Sequence, residues 1–219
     1  YLHRRWEEMG WHYWYEHTMA GHKLIISSNS PGCAPVDGNS TIPWHHAGAS
    51  NKHDKIENWQ PVREVVSGKV ALSNYDFKKP TPQRVSETSD HKQGDIHQIE
   101  VFDYEGLYGY KDTGHGEKIA KRRIEAIDAA GKIFQASGNS RDIQPGRWFT
   151  LTEEDESQLF AGAAGENEFF ILSARHVIHN NYLNADGGEA TYCNEFTCLR
   201  RAVPWRPPRH FNSTPVKVA

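Results

Sequence analysis

The chain has 219 residues, of which 37% are hydrophobic, 11% aromatic and 24% charged, with a net charge of −3 when histidine is neutral. One or two ordinary domains fit that length, and a charge so near zero excludes a polybasic binder of nucleic acid or anionic membrane. No apolar run approaches the ~20 residues that cross a bilayer as a helix, so a helical transmembrane protein is excluded too.

Along the chain, Leu2, Trp6 and Met9 recur at helical spacing and Gly10 offers a left-handed stop. Residues 11–17 are dense in rings and residues 22–28 alternate, which predicts a β-hairpin. From 29 to 54 the composition turns to Gly, Pro, Ser, Asn and His without periodicity, and reads as a long irregular surface loop. Residues 59–66 and 69–77 flank Ser67-Gly68 and predict a second hairpin, broken at 78–82 by Pro80 and Pro82. Residues 83–95 are polar and carry no clear pattern. A strand is expected over 96–104, and a helix over 117–130, with Ile119, Ile124 and Ile127 on one face and Gly131 behind them. Strands are expected at 132–137, 148–152, 168–179 and 190–203, and the prolines from Pro204 onward read as an extended linker. Four strands after one long helix favour an antiparallel barrel or sandwich. With 7 Trp, 9 Tyr and 9 Phe, rings must do much of the core packing.

Chemistry is harder to find. Three cysteines, Cys33, Cys193 and Cys198, are an odd number that argues for a reducing compartment. Cys193 and Cys198 fall on opposite faces of their strand and cannot share a metal there. Among 13 histidines, His45, His46 and His53 lie with Asp54 in the irregular stretch, and His176 and His179 end a long strand. Either group would serve a histidine-dependent metal hydrolase or nuclease, but neither has the spacing of a known metal motif. His12, His17 and His22 straddle the first hairpin, and a facing pair there reads as coincidence. There is no nucleophile elbow, P-loop or dinucleotide fingerprint. The expectation is no catalytic residue, no cofactor site, no metal site and no enzyme.

A pattern emerges when the segments are taken together. The opening Tyr1-Leu2-His3-Arg4-Arg5-Trp6-Glu7-Glu8-Met9-Gly10, leading into Trp14-Tyr15-Glu16-His17, resembles the VgrG spike proteins of the bacterial type VI secretion system, in the part similar to phage tail hubs. So do Asn74-Tyr75-Asp76-Phe77, Asp103-Tyr104-Glu105-Gly106-Leu107-Tyr108, Pro145-Gly146 with Phe149-Thr150-Leu151, Phe170-Ile171-Leu172-Ser173-Ala174-Arg175-His176, and Pro204-Trp205-Arg206-Pro207-Pro208. Glu105 stands where the family usually carries proline.

The resemblance implies a mainly β (α+β) fold: an antiparallel tail-hub-type barrel with an N-terminal helix-hairpin subdomain and one longer helix. It divides the chain into 1–95 (helix plus hairpin), 96–208 (barrel with helix 117–130) and 209–219 (a linker toward a further barrel and needle). It implies a structural hub of a homotrimeric spike that docks on the hexameric Hcp tube, meets baseplate components, carries effectors and binds no nucleic acid. Such a hub reaches the target membrane only through the needle, and moves from bacterial cytoplasm to target cell or medium. A phage-tail baseplate hub is the neighbouring alternative.

Overall fold

The structure is a computed structural model that describes residues 1–45, 54–91, 93–94, 99–107, 109–153, 165–182 and 190–211. Its centre is a closed six-stranded barrel of β3 (Thr41–Trp44), β4 (Ile56–Arg63), β8 (Lys132–Gly138), β9 (Trp148–Glu153), β10 (Glu168–His179) and β11 (Thr191–Arg200). Around the barrel the order is β10-β11-β8-β4-β3-β9. The barrel is mixed, not antiparallel, because β3 runs parallel to both β4 and β9. It also draws β3 and β4 from before residue 95 and the remaining strands from after it.

β3 comes out of the stretch expected to be irregular. An isolated bridge between Pro35 and Trp148 begins a parallel run that continues through Thr41 opposite Thr150 and Ile42 opposite Leu151. Side chains fix the approach: Asp142 accepts from the amide of Asn39 at 3.2 Å, and Asn39 accepts from that of Thr41 at 3.0 Å. Val36 and Ile42 are thereby delivered into the core.

That core is built of rings, as the composition demands. Trp59 stacks on Phe134 with centroids 5.1 Å apart and meets Phe169 edge-on at 4.7 Å; Phe149 lies 5.9 Å from both Phe169 and Phe196. Edge-to-face geometry sets the positive rim of one ring against the negative face of the next. Cys198 is buried among these residues while Cys193 is exposed, so the two thiols do face opposite ways.

The long strand β10 holds a correction. Its register against β11 slips between Ile171 and Ser173, a bulge that inserts Leu172. Phe169 and Ile171 point into the barrel, as does Ala174 beyond the bulge, whereas Phe170 packs outside with Leu199 and Ala129. Period two therefore does not carry from Phe170 to His176.

A second layer lies beside the barrel. β5 (Lys69–Asp76) pairs antiparallel with β6 (Lys79–Thr88) and parallel with β7 (Glu100–Leu107), giving the order β6-β5-β7. The expected hairpin of 59–66 with 69–77 does not form: β4 stays in the barrel, and the amides of Gly68 and Lys69 donate to Ile99 O, which starts the parallel pairing with β7. β6 occupies the stretch expected to be broken or patternless. It is an edge strand, where proline sacrifices no ladder bond that the sheet needs. Residues 96–98, the first part of the expected strand 96–104, lie outside the described residues, and β7 starts at Glu100.

Helix α2 (Thr113–Gly131) covers one face of this sheet, packing Ala120 and Ile124 on Val70, Leu72 and Val85. Asp112 caps it by accepting from the amide of His115 at 2.8 Å. At its other end Gly131 passes directly into Lys132 of β8, with no residue between helix and strand.

At the N-terminus, α1 (Leu2–Glu8) stops at Gly10, whose φ is +69°, and the hairpin β1 (His12–Thr18) and β2 (Gly21–Ser27) follows. Trp14 lies so close over Gly146 that a Cβ there would fall 2.2 Å from the indole. Beside it Arg147 pairs with Glu16 at 2.6 Å. The C-terminal segment ties α2 to the N-terminal segment: Arg206 pairs with Glu125 at 2.8 Å and donates to Gly10 O at 3.1 Å, and the amide of His210 donates to Glu7 at 3.0 Å. Residues 212–219, most of the expected linker, lie outside the described residues.

Candidate assembly surfaces

Of the two histidine groups weighed for a hydrolase, the described residues include His45 from the first and both His176 and His179 from the second. The amide of His45 donates to Ile56 O at 2.9 Å just after β3, and His46 and His53 lie outside the described residues. His176 Nδ1 shares a 2.8 Å hydrogen bond with the Tyr192 hydroxyl, while Asn194 donates to Ser140 O, so this corner ties β10 and β11 to the turn after β8. His179 sits three residues further along β10, opposite Thr191. Among the described residues no group of three or more His, Cys, Asp or Glu side chains could hold a metal ion.

His12 is the most altered histidine. Only 6% exposed, it stacks on Trp14 at 5.8 Å and meets Phe170 edge-on at 5.8 Å, and neither ring nitrogen has a hydrogen-bond partner. Burial, helped by the nearby Arg206 cation, pushes its pKa down to about 4. It is a neutral packing residue at the seat of the hairpin.

A groove of about 450 Å³ crosses the barrel wall over β4, β8, β11 and β10. Two cross-strand rows line it: Gln60, Gln135, Thr197 and Ser173, then Asn58, Ser137, Glu195 and Arg175. Amides and hydroxyls predominate, with Arg175 and Glu195 4.0 Å apart, so the groove offers hydrogen bonds to a partner surface and no nucleophile beside a base. A second cavity, of about 290 Å³, lies at the seam of α1, α2 and the C-terminal segment. Its cations are tied to neighbours: Arg123 pairs with Asp103 at 2.9 Å and also with Glu105, and Arg209 pairs with Asp103 at 3.2 Å. Glu105, the departure from the family pattern, thus anchors β7 to α2.

Among the described residues, exposed apolar side chains gather on β7 and on the hairpin. On β7, Phe102 and Tyr104 are 58% and 56% exposed. They stand opposite Ala71 and Ser73 of β5, on the face turned away from α2. On the hairpin, Tyr15, Leu24 and Ile26 share one face and are all exposed. Contiguous exposed apolar surface of this kind marks a contact site. The strand expected over 96–104 includes both rings, and β7 runs on past Tyr104 to Leu107; the alternation Phe102-Asp103-Tyr104-Glu105 gives it one aromatic and one acidic face.

Comparison with known proteins gives a consistent result. The chain is 24% identical over 213 residues to the type VI secretion system spike protein VgrG1b of Pseudomonas aeruginosa, a match that covers 94% of this chain and 27% of that protein. It is 25% identical over 221 residues to VgrG1c of the same organism, covering all of this chain and 29% of the relative. The chain therefore spans under a third of the length of these relatives. In three dimensions it is similar to the E. coli c3393 protein, described as a component of the type VI secretion system with structural similarity to T4 tail proteins, at a TM-score of 0.56 and 11% identity over 98% of this chain and 40% of that one. It is also similar to a tail protein from Neisseria meningitidis, at a TM-score of 0.54 and 14% identity over 95% of this chain and 55% of that one. The family model of the phage tail baseplate hub (GPD) matches residues 1–182, and the chain belongs to that family, in a VgrG-like form.

Proposed function

We propose that this chain is part of the structural hub of a trimeric VgrG-type spike. In this reading copies of the hub form a ring that docks on the hexameric Hcp tube, contacts baseplate components and travels with effectors. The spike is assembled in the bacterial cytoplasm and then driven out, reaching the target membrane through parts beyond this chain. The role is structural, without catalysis or a resident cofactor. The observation that carries the reading is the match to the tail-hub family across residues 1–182, and the closed barrel supports it. Closure leaves the barrel no strand edge to protect, which suits it to be the rigid wall of a ring.

The exposed rings of Phe102 and Tyr104 and the hairpin face of Leu24 and Ile26 are different surfaces on one chain. A contact between unlike surfaces repeats head to tail and closes a ring when the rotation allows. Sedimentation or light scattering of the chain in the context of its full-length protein should give a trimer, and immobilised Hcp hexamer should retain it. Failure of the full-length protein to bind Hcp, with retention by a phage tube protein instead, would replace the secretion reading with the phage-baseplate one. The likeness to a Neisseria tail protein keeps that second reading in view.

A further inference from the structure

We propose that His17 and His22 form a two-histidine site for a borderline divalent transition metal, Cu²⁺ ahead of Ni²⁺ and Zn²⁺, at the turn end of the β1–β2 hairpin. The two residues are direct cross-strand partners, and their ring centroids lie 6.1 Å apart with the planes inclined at 46°. Direct partners on an antiparallel pair hold their Cβ atoms about 4.5–5.5 Å apart, a span that two imidazoles close onto one ion through bonds of ~2.0–2.1 Å. The next pair, Thr18 and Gly21, closes the hairpin through a two-residue connection, and the Thr18 hydroxyl donates to Gly21 O at 3.2 Å. The turn therefore pins both backbones one residue away from the pair.

The two rings are also available. Both residues are exposed, and among the described residues neither ring makes a hydrogen bond or ion pair. Their one further ring neighbour is Tyr15, at 6.5 Å from His17 and 6.0 Å from His22 on the same face. Two imidazoles leave the remaining coordination positions to water, so the ion is exchangeable. Imidazole selects late first-row metals over Mg²⁺ and Ca²⁺, which take oxygen ligands. An ion bound here would bridge β1 to β2, which matters because a two-stranded ribbon is only marginally stable alone. The proposal does not depend on how the hub assembles.

Calorimetric titration of the intact chain with CuCl₂, NiCl₂, ZnCl₂ and MgCl₂ tests it, with His17→Ala, His22→Ala, the double variant and His179→Ala as a control. Monodentate binding at other histidines is the background, so non-additivity is the signature. Each single replacement should weaken the tightest Cu²⁺ site at least tenfold, and the double replacement should cost no more than either single. MgCl₂ should give no such site, and His179→Ala should leave it unchanged. Additive losses would mean two independent imidazoles and would overturn the proposal, as would an unchanged titration in both single variants. NMR gives an independent readout: substoichiometric Cu²⁺ should broaden the His17 and His22 imidazole signals together, and broadening confined to other histidines would overturn it.

Discussion

The barrel and the three-stranded sheet use the same pleated ladder and finish it in opposite ways. In the barrel every strand has two neighbours, the inner face is filled by rings, and the wall presents polar rows such as Gln60, Gln135 and Thr197. The sheet has one face under α2, one face open at Phe102 and Tyr104, and two free edges. Its β6 edge carries Pro80, Pro82 and Lys79, features that discourage pairing with another chain, whereas β7 carries no proline. The barrel thus closes its own hydrogen-bond ladder, and the sheet leaves edges and one aromatic face open.

Four experiments can break or sharpen that contrast. The largest effect is expected inside the barrel: Phe149→Ala removes a fully buried ring and should cost about 3–5 kcal/mol in urea unfolding. A loss under about 1 kcal/mol would mean the ring cluster is not what holds the wall closed.

Acid should loosen the hairpin's seat next. Folded His12 titrates near 4 against about 6.5 unfolded, so between these values the unfolded chain binds a proton that the folded one refuses. Its contribution to stability is complete above pH 6.5, falls as pH drops, and is lost by about pH 4, in total about 3 kcal/mol. His12→Leu should flatten that part of the pH–stability profile, and an unchanged slope would refute the assignment.

Asp112→Ala removes the cap of α2 and should cost about 1 kcal/mol. If thermal unfolding followed by barrel and sheet probes stays superimposed in this variant, the two layers unfold as one unit. Phe102→Ser should change the stability of the isolated chain by less than about 0.5 kcal/mol, because the ring is already in water. The same replacement should weaken self-association of the full-length protein, and an unaltered trimer would remove the Phe102 face from the interface.

What could be read from the residues alone followed locality. β10 and α2 were legible because they are long, at 12 and 19 residues, although the helix was expected from 117 and starts at Thr113. β3 was not, since Ile42 is placed by pairing with Leu151, more than a hundred residues away, and local composition around it speaks only of turns. β6 was hidden by the very prolines that protect it as an edge. The mistaken hairpin at Ser67-Gly68 shows how two good strands and a good turn can still belong to different sheets. The bulge at Leu172 had no local signal, and it reversed the facing of everything beyond it. Of the surfaces, the burial of His12 and the exposure of Phe102 and Tyr104 both depend on which element lies across them, and no spacing rule records that.

The junction at Gly131 and Lys132 carries a mechanical meaning. A joint flexes through residues free to change φ and ψ, and here the last helical residue is followed at once by a residue already paired in the barrel wall, Lys132 opposite Arg63. There is no slack to take up. Helix and barrel strand therefore meet without a hinge residue between them, and a change of angle between α2 and β8 would have to break pairing in the barrel wall.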